Sequence, residues 1–307
     1  MANIKGNITL EEFQRGKIDF PFEEYIYYIE NPLFYSRWEN IIKTPGIRQF
    51  LIKCFDMVNS WGKEKPAGKN ILFLGHSNRS FNSNQNIIDN LKSTKKLSKK
   101  NSVLVIGKGD YEIDDEVLKN LPASVKCLFA NNINTASPLT KYLPMGRDFR
   151  SRSLFSEIGP EYDKERLCYC NFSVNTHPQR KFLYEKIKKI DFIEFEHMGK
   201  YLNYSIGRRE FYEKVSKSKF VICPRGMALD TFRLWDCLYL GAIPIVVKEA
   251  VFHEYISDLP ILFLKSYEQF SDLSEEMLNE YYEKMLKTKY NYQKLRFSYW
   301  IDQIEKC

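Results

Sequence analysis

The sequence predicts an α/β protein built from two Rossmann-like halves. Three features predict it. Short apolar runs recur at 70–74, 102–106, 125–129, 167–172, 192–195, 220–223, 243–247 and 261–264, near-continuous as strands covered on both faces are. Helical periodicity fills several of the gaps, the alternation that yields parallel sheets. A polar stretch at 146–164, holding Arg147, Arg150 and Arg152, separates the two series and suits an interdomain connection. The expected division is 1–150 for an N-terminal half with a helical extension, 151–275 for a C-terminal half and 276–307 for C-terminal helices.

In chain order, residues 1–65 read as helical. Thr9 and Glu12 form a capping box, and 47–61 carries Phe50, Leu51, Cys54, Phe55 and Val58 at helical spacing. The strand at 70–74 runs into a polar loop, 75–80, that holds His76. The strand at 102–106 is followed by Gly107-Lys108-Gly109, half of a dinucleotide fingerprint because Glu112 stands where the third glycine belongs; it reads as a turn. A short fourth strand is expected near 142–144.

The second series opens at 167–172. Residues 173–177, with Asn175 and His177, form a loop, and Pro178 starts a helix. Arg180 falls in that helix's first turn, a poor place for a cation unless an anion is near. A strand at 192–195 and a helix at 208–217 lead to the most informative stretch, 219–247, KFVICPRGMALDTFRLWDCLYLGAIPIVV. It reads as strand, loop, helix, turn, strand, a right-handed crossover. Asp230 and Thr231 supply N-cap chemistry, 232–240 is apolar nearly all round, and Gly241 ends the helix.

Arg233 and Asp236 are the only charges inside that helix, three residues apart, so a pair between them is one reading. The other is functional. Arg225 and Gly226 precede a helix N-terminus, where free N–H groups and the dipole favour anions, beyond the carboxyl end of a strand. Arg225 and Arg233 there make a diphosphate cradle.

Bulk properties narrow the classes. The net charge of +7 fits an anionic ligand. Lys92, Lys95, Lys96, Lys99 and Lys100 read as a solvated helix end, and without a basic-aromatic motif nucleic acid is not an expected partner. Seven cysteines, an odd count at irregular spacing, predict reduced and mostly buried thiols. His197 and His253 lack partners at metal-ligand spacing, so neither a metal nor another cofactor is expected. No run of about 18 apolar residues and no signal-peptide pattern occurs, so the expectation is a soluble, cytoplasmic protein without a transmembrane segment.

The pattern PRGxxLDTFRLWDxLYLGAIPIVV, at 224–247, resembles the signature of exostosin-like glycosyltransferases, family 47 and its viral and bacterial relatives. The close likeness covers about 30 residues and a looser one covers 166–264. It implies a GT-B architecture, two Rossmann-like domains facing across a cleft, with a nucleotide-sugar, a UDP-sugar, held by the C-terminal domain. It implies inverting transfer to a hydroxyl of a glycan or glycoprotein acceptor; no metal is expected for that step, since arginines and a helix dipole can take its place. Arg225, Gly226 and Arg233 would face the donor phosphates, and Asp236 would replace the family's usual Glu near the ribose or sugar. Asp230, Thr231, Arg180 and Asn175 complete the expected donor site, and His177 is a further contact. The C-terminal helices would pack back on the first domain. LPMGRDF, at 143–149, is similar to the stretch closing the first half in that family, making Arg147 a phosphate candidate, though a surface arginine is the simpler reading. Cellular exostosins are typically membrane-anchored, and the expectation of no transmembrane segment departs from them in this respect.

Inverting transfer needs a base for the acceptor hydroxyl. His76, beyond the first strand of the first half, is the first choice, since imidazole titrates near neutrality. Asp148 and Glu157 are the carboxylate alternatives. A rival reading is a catalytically degenerate GT-B fold that binds a glycan or nucleotide without turnover. A nucleotide-dependent oxidoreductase is disfavoured by the missing fingerprint, and a P-loop kinase is excluded by the lack of its motif.

Overall fold

The structure is a computed structural model and describes residues 7–16, 70–74, 84–93, 102–106, 110–147, 154, 157–197 and 207–307. The expected helix at 47–61, the loop 75–80 with His76, the turn 107–109, and Asp148, Arg150 and Arg152 lie outside the described residues. The elements in chain order are β1 (Ile8–Thr9), α1 (Leu10–Gln14), β2 (Asn70–Leu74), α2 (Asn84–Ser93), β3 (Ser102–Ile106), α3 (Asp115–Lys119), β4 (Val125–Ala130) and β5 (Thr140–Tyr142), then β6 (Arg166–Phe172), α4 (Pro178–Ile187), β7 (Ile193–His197), α5 (Arg208–Ser216), β8 (Ser218–Ile222), α6 (Phe232–Tyr239), β9 (Ile243–Val247), β10 (Leu262–Leu264), α7 (Glu275–Lys287), β11 (Lys289–Tyr290) and α8 (Phe297–Lys306). Among the described residues no helix is long and apolar enough to cross a membrane.

The chain is mixed α/β with parallel sheets and divides into two compact units. One comprises Glu23–Met145, Ala250–Phe252 and Arg296–Cys307. Its sheet has the order β2-β3-β4-β5, all parallel. Val103 to Ile106 of β3 are all buried, which is why this strand is an unbroken apolar run. Asp114 caps α3, its side chain accepting from the amides of Glu116 and Val117 at 3.1 and 3.0 Å. Ile304 of α8 packs among Val103, Val105, Cys127 and Phe129. Tyr142 stacks on Phe252 and meets Trp300 edge-on.

One expectation fails in this unit. Cys127 and Cys307 form a disulfide, so the thiols are not all reduced. Their separation of 180 residues explains why spacing gave no hint. Cys168, Cys170, Cys223 and Cys237 are free and buried, as expected.

The other unit comprises Met1–Phe22, Gly146–Glu249 and His253–Leu295. Its five-stranded parallel sheet has the order β10-β9-β8-β6-β7. From β6 the chain steps outward to β7, returns across β6 to β8, and continues to β9 and β10. The reversal lies between β6 and β8, the crevice where doubly wound sheets of this order bind ligands. The N-terminal segment belongs to this unit: β1 pairs antiparallel with β11, Thr9 and Glu12 make the expected capping box, and Phe13 stacks on Tyr292 at 4.3 Å. Gln14, buried, donates to the Gly241 carbonyl at 2.7 Å and accepts from the Tyr282 hydroxyl at 3.2 Å, which fixes the end of α6.

Candidate functional site

The site forms where the chain leaves β6 and β8 at their carboxyl ends. Beyond β6, Ser173 and a single 3-10 turn, Val174–Thr176, lead to Pro178 at the first position of α4. His177 caps this helix, its Nδ1 accepting from the Gln179 amide at 3.3 Å. Asn175 stands exposed on the turn. Beyond β8, Cys223 keeps one more strand-like bond, its amide to the Ile245 carbonyl at 2.9 Å. Pro224 then turns the chain, and a bond from the Gly226 amide to the Ala228 carbonyl at 3.0 Å closes the loop.

Arg180 joins the two loops. Its Nε donates to the Arg225 carbonyl at 2.6 Å, Nη2 to the Pro224 carbonyl at 3.1 Å and Nη1 to the Ser173 carbonyl at 3.4 Å. The side chain lies over the Phe172 ring, and the residue is only 7% exposed. All of these partners are neutral; among the described residues no carboxylate pairs with it. Burial first, and then the like charge of Arg233, push its pKa down to about 9, so it remains a cation at neutral pH in a place that penalises the charge. Gly226 lies against this guanidinium: a Cβ there would stand 3.4 Å from Arg180 Nη2.

Helix α6 supplies the second cation. Thr231 is its N-cap, with Oγ1 accepting from the Leu234 amide at 3.4 Å. Asp230 is not the cap: it is 1% exposed and accepts from the Trp235 indole Nε1 at 2.9 Å. Arg233 is half-buried and rests over the Phe211 ring. Among the described residues it has no carboxylate partner, and its buried Nε has no hydrogen bond. Arg225 is half-buried and donates to its own loop, from Nη2 to the Met227 carbonyl at 3.1 Å. Thus Arg180, Arg225, Gly226, Thr231 and Arg233 gather at the switch point of one sheet.

Two readings of charged residues are corrected. Asp236 does not pair with Arg233. It is 4% exposed and takes Arg147 Nε at 3.0 Å, a pairing that occupies the carboxylate expected beside the donor ribose or sugar, so Asp236 is not counted among the residues of the anion site. Arg147, in turn, is not a surface arginine but 1% exposed, set near the Tyr212 and Tyr239 rings at 5.1 and 5.4 Å. Glu157 is ion-paired with Arg209 at the surface. His76 and Asp148 lie outside the described residues.

Sequence reasoning missed a polar network beside the site. The Tyr169 hydroxyl donates to Glu196 Oε2 at 2.5 Å, Asn171 reaches the same oxygen at 3.4 Å, and Lys214 pairs with the carboxylate. Burial, followed by Glu196, raises the Tyr169 pKa, so its hydroxyl keeps its proton. The alternation of Tyr169 and Asn171 along β6 with Glu194 and Glu196 along β7 was the available signal. Burial also pushes the Cys170 and Cys237 thiols well up, which removes them as nucleophiles. Among the described residues no three His, Cys, Asp or Glu side chains converge as metal ligands do.

No family model matches the chain, and no curated protein matches it. Among solved structures, it is similar to the crystal structure of an α1,3-fucosyltransferase, with 14% identity, 82% of this chain and 95% of that chain covered, and a TM-score of 0.39.

Proposed function

We propose that the protein is a glycosyltransferase whose C-terminal parallel-sheet unit holds a nucleotide-sugar donor by its diphosphate. The observation that carries this reading is Arg180: a buried cation at the β6/β8 switch point that, among the described residues, is bonded only to carbonyls and lies beside a second arginine that also has no carboxylate there. An uncompensated pair of like charges in that position is costly unless an anion completes it. A diphosphate is of the right charge and has oxygens enough to take several guanidinium donors. The likeness of residues 224–247 to exostosin-like enzymes supports the choice of a nucleotide-sugar and, with it, a GT-B division of labour between donor and acceptor domains.

In the proposed reaction an acceptor hydroxyl oxygen attacks the anomeric carbon from the face opposite the diphosphate. The new C–O bond forms as the bond to phosphate oxygen breaks; the electron pair stays on the diphosphate, and the hydroxyl proton passes to a base. Arg180, Arg225 and Arg233 neutralise the departing charge, so this step needs no metal. His76, two residues beyond the end of β2, is the proposed base, with Asp148 the alternative.

The test is a melting-temperature panel of nucleotide-sugars with nucleotide release followed in parallel. A UDP-sugar at 100 times its dissociation constant is expected to add about 2.7 kcal/mol. Slow donor hydrolysis without acceptor is expected as well, and His76→Ala should keep the shift while losing transfer. A panel in which no nucleoside diphosphate or its sugar moves the melt would overturn the proposal.

A further inference from the structure

The Arg147–Asp236 pair bears on Arg233 in a way that rests on the donor site proposed above. Arg233 and Asp236 are three residues apart on α6, the spacing at which helical side chains of opposite charge meet. They do not meet, because Asp236 is turned onto Arg147, 89 residues away in the chain, with a 3.0 Å contact from Nε to Oδ1. The side chains are 1% and 6% exposed, so this is an interior ion pair. Its geometry is held from several sides. Tyr212 of α5 and Tyr239 of α6 present their rings to the guanidinium, and the Tyr239 hydroxyl is itself anchored on the Leu295 carbonyl at 2.6 Å.

We propose that Arg147 is a positioning residue that holds the Asp236 carboxylate away from Arg233 and so keeps Arg233 available to the donor diphosphate. A carboxylate as buried as Asp236 that loses its guanidinium is driven toward another cation, since a buried negative charge without a counter-charge is strongly unfavourable. Without Arg147 the cation within reach on the same helix is Arg233. Capture of Arg233 by Asp236 would neutralise one arm of the anion site from behind. The ion pair thus has two separable roles: an anchor for α6, which any well-packed substitute could serve, and an electrostatic decoy, which matters only while the carboxylate is present.

The full-length protein, Arg147→Met, and the double variant Arg147→Met/Asp236→Leu would be titrated with UDP by calorimetry, with melting followed by circular dichroism. The single variant is expected to weaken UDP binding by roughly 10-fold or more, as loss of a charge-assisted contact does. The double variant is expected to return to within about 3-fold of the wild type, because no carboxylate remains to capture Arg233, and replacing both members of a buried pair by apolar groups is commonly tolerated. Should Arg147→Met fail to fold, Arg147→Gln takes its place in the same comparison: weakened UDP binding that the added Asp236→Leu restores supports the decoy role. Wild-type affinity in the single variant, or a double variant that folds and binds weakly, would overturn it. A wild type that does not bind UDP would overturn the donor-site reading and this inference together.

Discussion

Arg180 Nε and the Arg225 carbonyl oxygen stand 2.6 Å apart, which ties α4 to the loop beyond β8. One arginine thereby shapes the backbone on which the next is carried. With bonds to Pro224 and Ser173 as well, Arg180 fixes both lips of the crevice, and among the described residues no carboxylate cancels its charge.

Arg180→Met should separate these two contributions. Three carbonyls lose a donor, at about 1–3 kcal/mol for a buried group left unsatisfied, but the penalty of a buried unpaired cation is lifted. The expected net change in the stability of the free protein is therefore small, about 1 kcal/mol by denaturant titration. The stabilisation conferred by UDP should largely disappear. A variant that keeps the full UDP shift would remove Arg180 from the anion site.

Gly241→Ala should destabilise the C-terminal unit. Gly241 has a φ of +67°, and a Cβ there would stand 2.9 Å from Pro160 Cβ. The left-handed backbone costs about 1–2 kcal/mol for a residue with a Cβ, and the overlap adds to it. A loss of about 2–4 kcal/mol in chemical denaturation is expected, by the same two effects. A loss below 0.5 kcal/mol, the size of an ordinary surface change, would show that the turn relaxes freely.

His253 should make folding acid-sensitive. It is 2% exposed and packs near the Phe263 ring. Burial, then the charge of Lys248, lower its pKa from 6.5 to about 4, with Glu254 opposing. The unfolded chain then binds the extra proton between pH 6.5 and 4, so stability is fully present above 6.5 and falls as the pH drops through that window. The total loss attributable to this group is about 3 kcal/mol. His253→Phe should flatten the profile over that range; an unchanged slope would reassign it to other groups.

Reduction should loosen the other unit. The Cys127–Cys307 disulfide closes a separation of 180 residues. Losing such a link commonly costs about 2–5 kcal/mol. Alkylation under denaturing, non-reducing conditions is expected to leave Cys127 and Cys307 unlabelled, and Cys307→Ser to lower the melting temperature. Labelling of both residues would contradict the link.

Much of the fold was legible because parallel strands buried on both faces are written as unbroken apolar runs. Residues 102–106 and 243–247 carry this signal, the helix at 232 onward shows itself by being apolar nearly all round, and Pro178 marks the start of α4. The two-residue strands β1 and β11 are too short to show a period. Asp230 and Thr231 are both capable caps, and only the backbone chooses: Thr231 takes the extended conformation at the boundary, while Asp230 turns inward to Trp235. The gathering of Arg180 with Arg225 was foreshadowed by an arginine placed against the helix dipole. The partners of Asp236 and Gly241 were not foreshadowed, because Arg147 and Gln14 reach them across 89 and 227 residues, and local spacing carries no record of such meetings.

The most direct measurement is a calorimetric titration of UDP into the wild type and into Arg233→Ala. Arg233 sits at the first turn of α6 without a carboxylate among the described residues, so its removal should leave the fold intact and take away a charge-assisted contact worth about 1.5–3 kcal/mol. Micromolar-range binding in the wild type and a loss of at least roughly 10-fold in the variant are expected. Equal affinity in the two proteins would rule out a diphosphate held by Arg233.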